Sequence, residues 1–338
     1  SYGDWFIRFR FFKFFSSDNP SFTPPRTAYH LSTHEGCLPE MNLIKDNLVY
    51  LIYSTLWLII RKIPGRFAYW LFDKFAQIAY LRNKKRVKHL RNNYQHVLNS
   101  RDSDLVEPQV KAGLRNAMRY WCDTFRISSW DSKSITSTVS TKGEELLLDG
   151  FASGKGVIVA LPHAGNWDHA GLYFCSKGIQ VNTVAEHLKP EKLFNKFLQH
   201  RESMGMSVLD LNANVIPELI KRLNRGALVA LVADRDLSKS GVPVKFFGAR
   251  ARMPAGPALL AIRTEATLIT AYVAYTATGI EIEFNGPFKP RKNESENDEV
   301  SRITQELANQ FAKDIAKSPT SWHMQQRIFL DDNFEVRS

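Results

Sequence analysis

From about Leu146 onward the chain alternates short strand-like runs with longer stretches of helical period. Residues 156–161, 181–185, 208–211 and 227–233 read as strands, and residues 166–176, 190–204 and 215–224 between them read as helices. Strand-like runs at 268–275 and 279–284 and a helix near 299–317 follow, with residues 289–298, charged and turn-rich, as a surface loop. Ala227-Leu-Val-Ala-Leu-Val-Ala233 is apolar at every position, as a strand covered on both faces must be. This alternation predicts an α/β fold, a mostly parallel twisted sheet covered by helices. Internal repeats are absent from the sequence.

Ahead of that core, residues 41–128 read as helical and basic. They contain the uncharged run 48–60, well short of the ~20 residues a membrane span needs. They also contain the cationic run 82–91, Arg-Asn-Lys-Lys-Arg-Val-Lys-His-Leu-Arg, and an aromatic-rich stretch at 116–125. A cationic run by itself reads as a solvated helix face. Beside an apolar segment carrying Tyr53 and Trp57 it reads better as a surface for anionic lipid. Residues 1–40 differ from the rest: Phe6, Phe11, Phe12, Phe14 and Phe15 are followed by a Ser/Pro/Thr stretch without period. They are expected to be a poorly ordered leader, broken as a signal peptide by Arg8, Arg10 and Lys13, with Met41 as an alternative start. Since the sequence opens on Ser1, a fragment or processed form is expected. The expected organisation is therefore a leader (1–40), one large domain (41–330) made of a helical part (41–128) and an α/β core (146–330), and a tail (331–338).

Composition changes this picture in two ways. A formal charge of +11 over 338 residues calls for an anionic partner: nucleic acid, an anionic membrane surface or an acidic nucleotide-linked substrate. No base-stacking motif is interleaved with the basic run, so nucleic acid is set aside. Cys37, Cys122 and Cys175 are too widely spaced for a disulfide framework or a zinc motif, which points to a reducing compartment.

The chemistry concentrates at the end of the first core strand, in Gly156-Val-Ile-Val-Ala-Leu-Pro-His163-Ala-Gly-Asn-Trp-Asp168. On one continuous helix His163 and Asp168 would lie ~140° apart. They meet only if His163 is on a loop, punctuated by Pro162 and Gly165, and a helix starts near Asn166, a good N-cap. A loop-borne base beside a carboxylate suits acyl transfer to a hydroxyl. His163 would take the proton, and Asp168 would fix its tautomer and stabilise the imidazolium. No G-x-S-x-G elbow precedes the histidine, so direct attack by the acceptor is favoured over a serine intermediate. Glu186 follows the strand 181–185, and Asp234, Arg235 and Asp236 follow 227–233, at the edge where open α/β sheets bind ligands. Arg252-Met-Pro-Ala-Gly-Pro257 reads equally as a plain helix start and as an anion site with Arg252 beside it. Asp168 and His169, being adjacent, diverge on a helix, so no metal is expected.

The segment Pro162-His-Ala-Gly-Asn-Trp-Asp168 resembles the His-x4-Asp box of bacterial membrane acyltransferases of the lipid A late acyltransferase superfamily, and most of all that of the mycobacterial phosphatidylinositol mannoside acyltransferases. The similarity runs on through Thr183-Val-Ala-Glu-His-Leu-Lys-Pro-Glu191, His200-Arg-Glu-Ser-Met-Gly205, Ala233-Asp-Arg-Asp-Leu-Ser-Lys-Ser-Gly241, Phe246-Phe-Gly248, Arg252-Met-Pro-Ala-Gly-Pro257 and Trp322-His-Met324. It covers residues 41–330. The resemblance implies a membrane-associated enzyme that moves a fatty acyl chain from acyl-CoA to a mannose hydroxyl of a phosphatidylinositol mannoside, without a further cofactor. It implies His163 as base, Asp168 as its partner, Arg201 beside the thioester, and Glu186, Lys189 and His323 lining the acceptor or donor pocket. The family pattern has Glu before Arg-Asp-Leu, acting on the catalytic histidine, where this chain has Asp234, one methylene shorter.

The expected location is the cytoplasmic face of the plasma membrane, held peripherally by the basic helices. A relative acting on a lysophospholipid or lipid A precursor, with acyl-CoA or acyl carrier protein as donor, is the nearest rival. A non-catalytic protein that binds anionic lipid is a remoter one, disfavoured by polar residues at several strand ends.

Overall fold

The computed structural model describes residues 38–330 apart from 187–189, 213, 237–239 and 292–293, with side chains placed from Asp46 onward. Most of the expected leader, residues 1–37, and the whole tail, 331–338, lie outside the described residues.

Four helices come first: α1 (Leu38–Lys62), α2 (Gly65–Arg82), α3 (Lys85–Leu98) and α4 (Ser103–Arg126). α1 begins three residues inside the expected leader. Its run 48–60 is amphipathic, with Tyr53, Trp57 and Ile60 buried and Leu48, Leu51, Leu58 and Ile59 exposed. No described helix is long and apolar enough to cross a membrane. The cationic run is not one helix face, because Asn83 adopts a left-handed conformation (φ 42°) that ends α2 inside it. Asp102 starts α4 by accepting from the Asp104 amide at 2.9 Å.

The core then runs α5 (Ser132–Ser137), β1 (Val139–Lys142), α6 (Glu144–Ala152), β2 (Val157–Leu161), α7 (Trp167–Ser176), β3 (Val181–Ala185), α8 (Glu191–Ser203), β4 (Ser207–Asp210), α9 (Val215–Leu223) and β5 (Leu228–Val232). A hairpin of β6 (Val242–Phe246) and β7 (Ala249–Met253), then α10 (Gly256–Arg263), β8 (Thr267–Tyr275), β9 (Ile280–Asn285) and α11 (Glu296–Lys317), complete it. The seven-stranded sheet has the order β1-β9-β8-β2-β5-β3-β4. Its neighbours are parallel except β8 and β9. The expected parallel sheet is thus present, with an edge pair running the other way.

Both faces are covered. Ile158, Ala160 and Val229 face one apolar cluster, shared with the N-terminal helices, the hairpin and α11. Val157, Val159 and Leu161, at alternate positions, face a second one under α6 and α7. Such fully buried side chains stabilise by roughly 1.5–3 kcal/mol each. The helical part is pinned to the core by polar contacts as well. Tyr94 reaches the Trp322 carbonyl (3.2 Å) across Gly113, where a Cβ would stand 2.1 Å from the Tyr94 hydroxyl. Asn93 donates to the carbonyls of Met324 (2.8 Å) and Gln326 (2.9 Å).

Candidate active site

Strand register brings the first two residues together. Leu161 of β2 pairs with Val232 of β5, and the Ala233 amide donates to the Leu161 carbonyl at 2.8 Å. His163 and Asp234 each lie two residues past that pair, on strands ~4.8 Å apart. His163 Nδ1 bonds Asp234 Oδ1 at 2.5 Å, and the His163 amide donates to Oδ2 at 3.1 Å. Trp322 Nε1 donates to the same Oδ2 at 2.8 Å. Asp234 is 1% exposed. Burial opposes its ionisation, but the His163 charge and the donors from His163 and Trp322 outweigh burial and hold its pKa below the usual carboxylate range. With Nδ1–H donating to Asp234, Nε2 is the basic nitrogen of His163.

The loop carrying His163 is tightly held. Gly165 has φ +56°, and a Cβ there would meet the Val273 carbonyl at 2.3 Å, so only glycine fits. The Gly165 amide donates to the Ser321 carbonyl (2.8 Å), and the His323 amide donates to the His163 carbonyl (2.8 Å). Ala164 forms an isolated bridge with Trp322. His323 also donates from its ring Nε2 to the Gly165 carbonyl at 2.9 Å, which makes it a clamp on the loop rather than part of the cavity wall. Asn166 is the expected N-cap of α7, its side-chain oxygen accepting from the His169 amide at 2.9 Å. His169 turns away and donates to the Ile135 carbonyl at 3.1 Å.

Asp168 is not the carboxylate on His163, contrary to the spacing argument. Arg201, on α8, grips it with Nε at 2.8 Å and a second nitrogen at 3.3 Å, and Tyr120 donates to it at 3.0 Å. The physical reason is topological: β5 is the neighbour of β2, so a residue after β5 reaches the histidine first. Asp168 instead joins a buried cluster, with the Tyr120 ring against Trp167 at 4.3 Å. Nothing in the spacing predicts Tyr120 or Trp322 as partners, although both fall in segments marked as aromatic-rich or family-like.

His163, Asp168 and Arg201 open on a cavity of about 700 Å³. Its wall takes alternate residues from five adjacent strands: Val159 and Leu161, Ala230 and Val232, Thr183 and Ala185, Ala271 and Val273, Ile282 and Phe284. Alternation puts these on the sheet face under Ala170, Gly171 and Phe174 of α7, while Val184, Leu231, Leu193 and Phe197 line the cavity from the other face. The result is an apolar channel across the strands, with Glu186, Arg235, Asp236 and Gln326 at its polar end. Glu186 is exposed at the end of β3. Arg252 lies behind this wall on β7, its carbonyl accepting from the Asp236 amide at 2.8 Å. Lys189 falls outside the described residues.

The family model of the bacterial lipid A biosynthesis acyltransferases matches residues 38–331. A phosphatidylinositol mannoside acyltransferase of Mycolicibacterium smegmatis is 35% identical over 308 residues, 90% of this chain and 98% of the relative. Proteins of the same name from Mycobacterium tuberculosis, strains CDC 1551 and H37Rv, are 34% identical over 290 residues, 84% of this chain and 90% of each relative. The chain belongs to the lipid A biosynthesis acyltransferase family and is an acyltransferase.

Proposed function

We propose that this acyltransferase moves a long fatty acyl group from acyl-CoA to a mannose hydroxyl of a phosphatidylinositol mannoside. The observation that carries the reading is the His163–Asp234 pair at the mouth of an apolar channel. Five strands at ~4.8 Å spacing span roughly 19 Å. An extended chain advances about 1.25 Å per carbon, from a ~1.5 Å C–C bond at the tetrahedral angle. The channel therefore suits roughly 14–16 carbons. At the polar end, Nε2 of His163 accepts the proton as the hydroxyl oxygen attacks the thioester carbon. The tetrahedral oxyanion is met by the first-turn amides of α7 or by the Arg201 guanidinium. Breaking the C–S bond releases the CoA thiolate, which takes the proton back from His163, and the new ester remains on the sugar. Asp234 keeps the imidazole in the required tautomer and opposes its transient positive charge. The names of the relatives and the carboxylates Glu186 and Asp236 beside the mouth support a polyhydroxylated acceptor.

The proposal includes peripheral binding to the cytoplasmic face of the plasma membrane, the side that offers acyl-CoA. Of the fourteen exposed large apolar side chains among the described residues, ten are on α1 and α2. On α2 they form a stripe at helical spacing: Phe67, Trp70, Ile78 and Leu81, the last 79% exposed. Arg61, Lys62, Arg66 and Arg82 surround them, as an anionic lipid surface requires.

Mass spectrometry of products from the purified protein, palmitoyl-CoA and a panel of glycolipid acceptors tests the chemistry. An acylated mannoside supports it. Acylation only of a lysophospholipid or lipid A precursor, or only from acyl carrier protein, overturns it for the rival. Flotation with anionic and neutral vesicles tests the surface. Reversing Lys84, Lys85 and Arg86 is expected to weaken anionic binding and its salt sensitivity, and equal flotation with neutral vesicles before and after would refute the electrostatic part.

A further inference from the structure

One buried carboxylate takes no part in the mechanism above. Asp123, near the end of α4, is 2% exposed and accepts three hydrogen bonds from three separate elements. Tyr69 of α2 donates its hydroxyl to Oδ1 at 2.6 Å. Asn166 Nδ2 and the Tyr275 hydroxyl, at the end of β8, both donate to Oδ2 at 3.2 Å. Burial raises the Asp123 pKa, and these donors work against that rise. Arg119, one turn back on α4, stacks its guanidinium 4.2 Å over the Tyr275 ring and donates to the Thr276 carbonyl at 2.7 Å.

Asn166 is the important member of this set. Its amide has two ends with separate tasks: Oδ1 caps α7, and Nδ2 goes to Asp123. An acceptor on Nδ2 fixes which way the amide faces, so Asp123 selects the capping orientation. The capped first turn carries Asp168, and the loop before it carries His163. The opposite side of the loop is held by Ser321 to His323, so Asp123 completes a two-sided grip. At the other end of the network, Tyr69 lies on the flank of α2 beside its buried face of Ala68, Phe72 and Ala76, with its hydroxyl directed inward to Asp123, while Phe67 and Trp70 stack at 5.4 Å on the outward side. The helix with the exposed apolar stripe is thus two hydrogen bonds from the cap of the helix that follows the catalytic loop.

We propose that Asp123 is a positioning residue for acyl transfer: through Asn166 it sets the start of α7, and through Tyr69 it couples that geometry to the seating of α2 on a lipid surface. The second half rests on the membrane reading above.

Two variants test this. Tyr69→Phe removes one hydroxyl at a partly exposed site and should fold. Asp123→Asn keeps the shape but turns one acceptor into a donor. Hydrogen exchange followed by mass spectrometry, which needs no activity, is expected to speed up about tenfold across residues 163–170 in both variants, the equivalent of about one buried hydrogen bond. Melting of Tyr69→Phe should stay near that of the starting protein. Activity should divide in a way that a merely structural role would not produce, with kcat falling about tenfold at unchanged KM for palmitoyl-CoA. Tyr69→Phe should still float with anionic vesicles, yet lose the rate gain that such vesicles give over detergent micelles. Unchanged exchange in 163–170 in both variants overturns the positioning role. Faster exchange with full vesicle stimulation in Tyr69→Phe overturns the coupling. A starting protein that neither floats nor transfers acyl groups would refute the membrane and substrate reading instead, and the exchange experiment would still decide the role of Asp123.

Discussion

Asp234→Asn should abolish most of the activity while leaving the protein folded, for reasons visible in its hydrogen bonds. Asp234 accepts on both oxygens: from His163 Nδ1 on one, and from the His163 amide and Trp322 Nε1 on the other. An asparagine has one acceptor and one donor end. If its NH2 faces Trp322 and the His163 amide, donors oppose donors in a buried site, which costs about 1–3 kcal/mol per unsatisfied group. The side chain will therefore turn its NH2 toward His163 Nδ1. That nitrogen must then accept, the proton moves to Nε2, and the nitrogen facing the acceptor hydroxyl ceases to be a base. A further loss comes from removing the negative charge opposite the imidazolium. Together these correspond to roughly 10²–10⁴ in kcat, the worth of general-base catalysis. Asp234→Glu keeps the charge. Its extra methylene must fit beside Trp322, which is fully buried, so overpacking of about 1–3 kcal/mol should lower the melting temperature. Most activity should survive below that temperature. Thioester consumption in single turnovers, with circular dichroism melts on both variants, is the assay. An Asn variant within a few-fold of full activity would refute the tautomer reasoning.

Three further expectations follow from other contacts. Arg201→Lys replaces a two-pronged grip on Asp168 with a single ammonium, so kcat/KM should fall about 10–100-fold, as for losing one charged hydrogen bond of about 1.5–3 kcal/mol; unchanged steady-state kinetics would show the fork to be dispensable. Gly171→Leu adds bulk to the channel wall, where the first obstacle is the movable end of Met206, 2.9 Å from the new Cβ. Rates across a series from decanoyl- to palmitoyl-CoA should shift toward shorter chains by about fourfold per displaced methylene, at about 0.8 kcal/mol each, and an unshifted series would remove the acyl chain from this channel. Glu299 has its pKa lowered to about 2 by hydrogen bonds from Arg302 and the Arg291 amide. Its folded pKa lies below the unfolded one, so its contribution is present above about pH 4.3 and is lost as pH falls toward 2. Melts from pH 7 to 2 should decline in that window, and Glu299→Gln should melt lower at pH 7 with a flatter decline; parallel curves would exclude it.

The middle of the sheet was legible because β2, Val-Ile-Val-Ala-Leu, and β5, Leu-Val-Ala-Leu-Val, are written as unbroken apolar runs. The elements missing from the sequence reading lack that signature. β1 is Val-Ser-Thr-Lys at the sheet edge, with alternate residues exposed and one apolar side chain to announce it. The β6–β7 hairpin alternates correctly, with Val242, Val244 and Phe246 inward, but Pro243 and Lys245 dilute the pattern. Its turn is Phe247-Gly248, both at positive φ, where sequence rules look for Asn-Gly. A phenylalanine in that conformation is strained, and it is held by packing against Phe246 and Trp322, which no local pattern reports.

For the site, local spacing identified the loop but not the partnership. That His163 lies on a turn and that a helix starts at Asn166 follow from residues within six positions of one another, and both hold. Which carboxylate meets His163 depends on β2 lying beside β5, 71 residues apart in sequence, and no motif spacing encodes that adjacency. Asp168 is likewise taken by an arginine 33 residues away. The same geometry accounts for the short side chain at position 234. The bridge between Ala164 and Trp322 fixes the loop, and Asp234 follows directly from a strand in register with β2, so an aspartate already reaches Nδ1 at 2.5 Å. Trp322 holds the second oxygen, so charge and direction at the imidazole are both fixed with an aspartate.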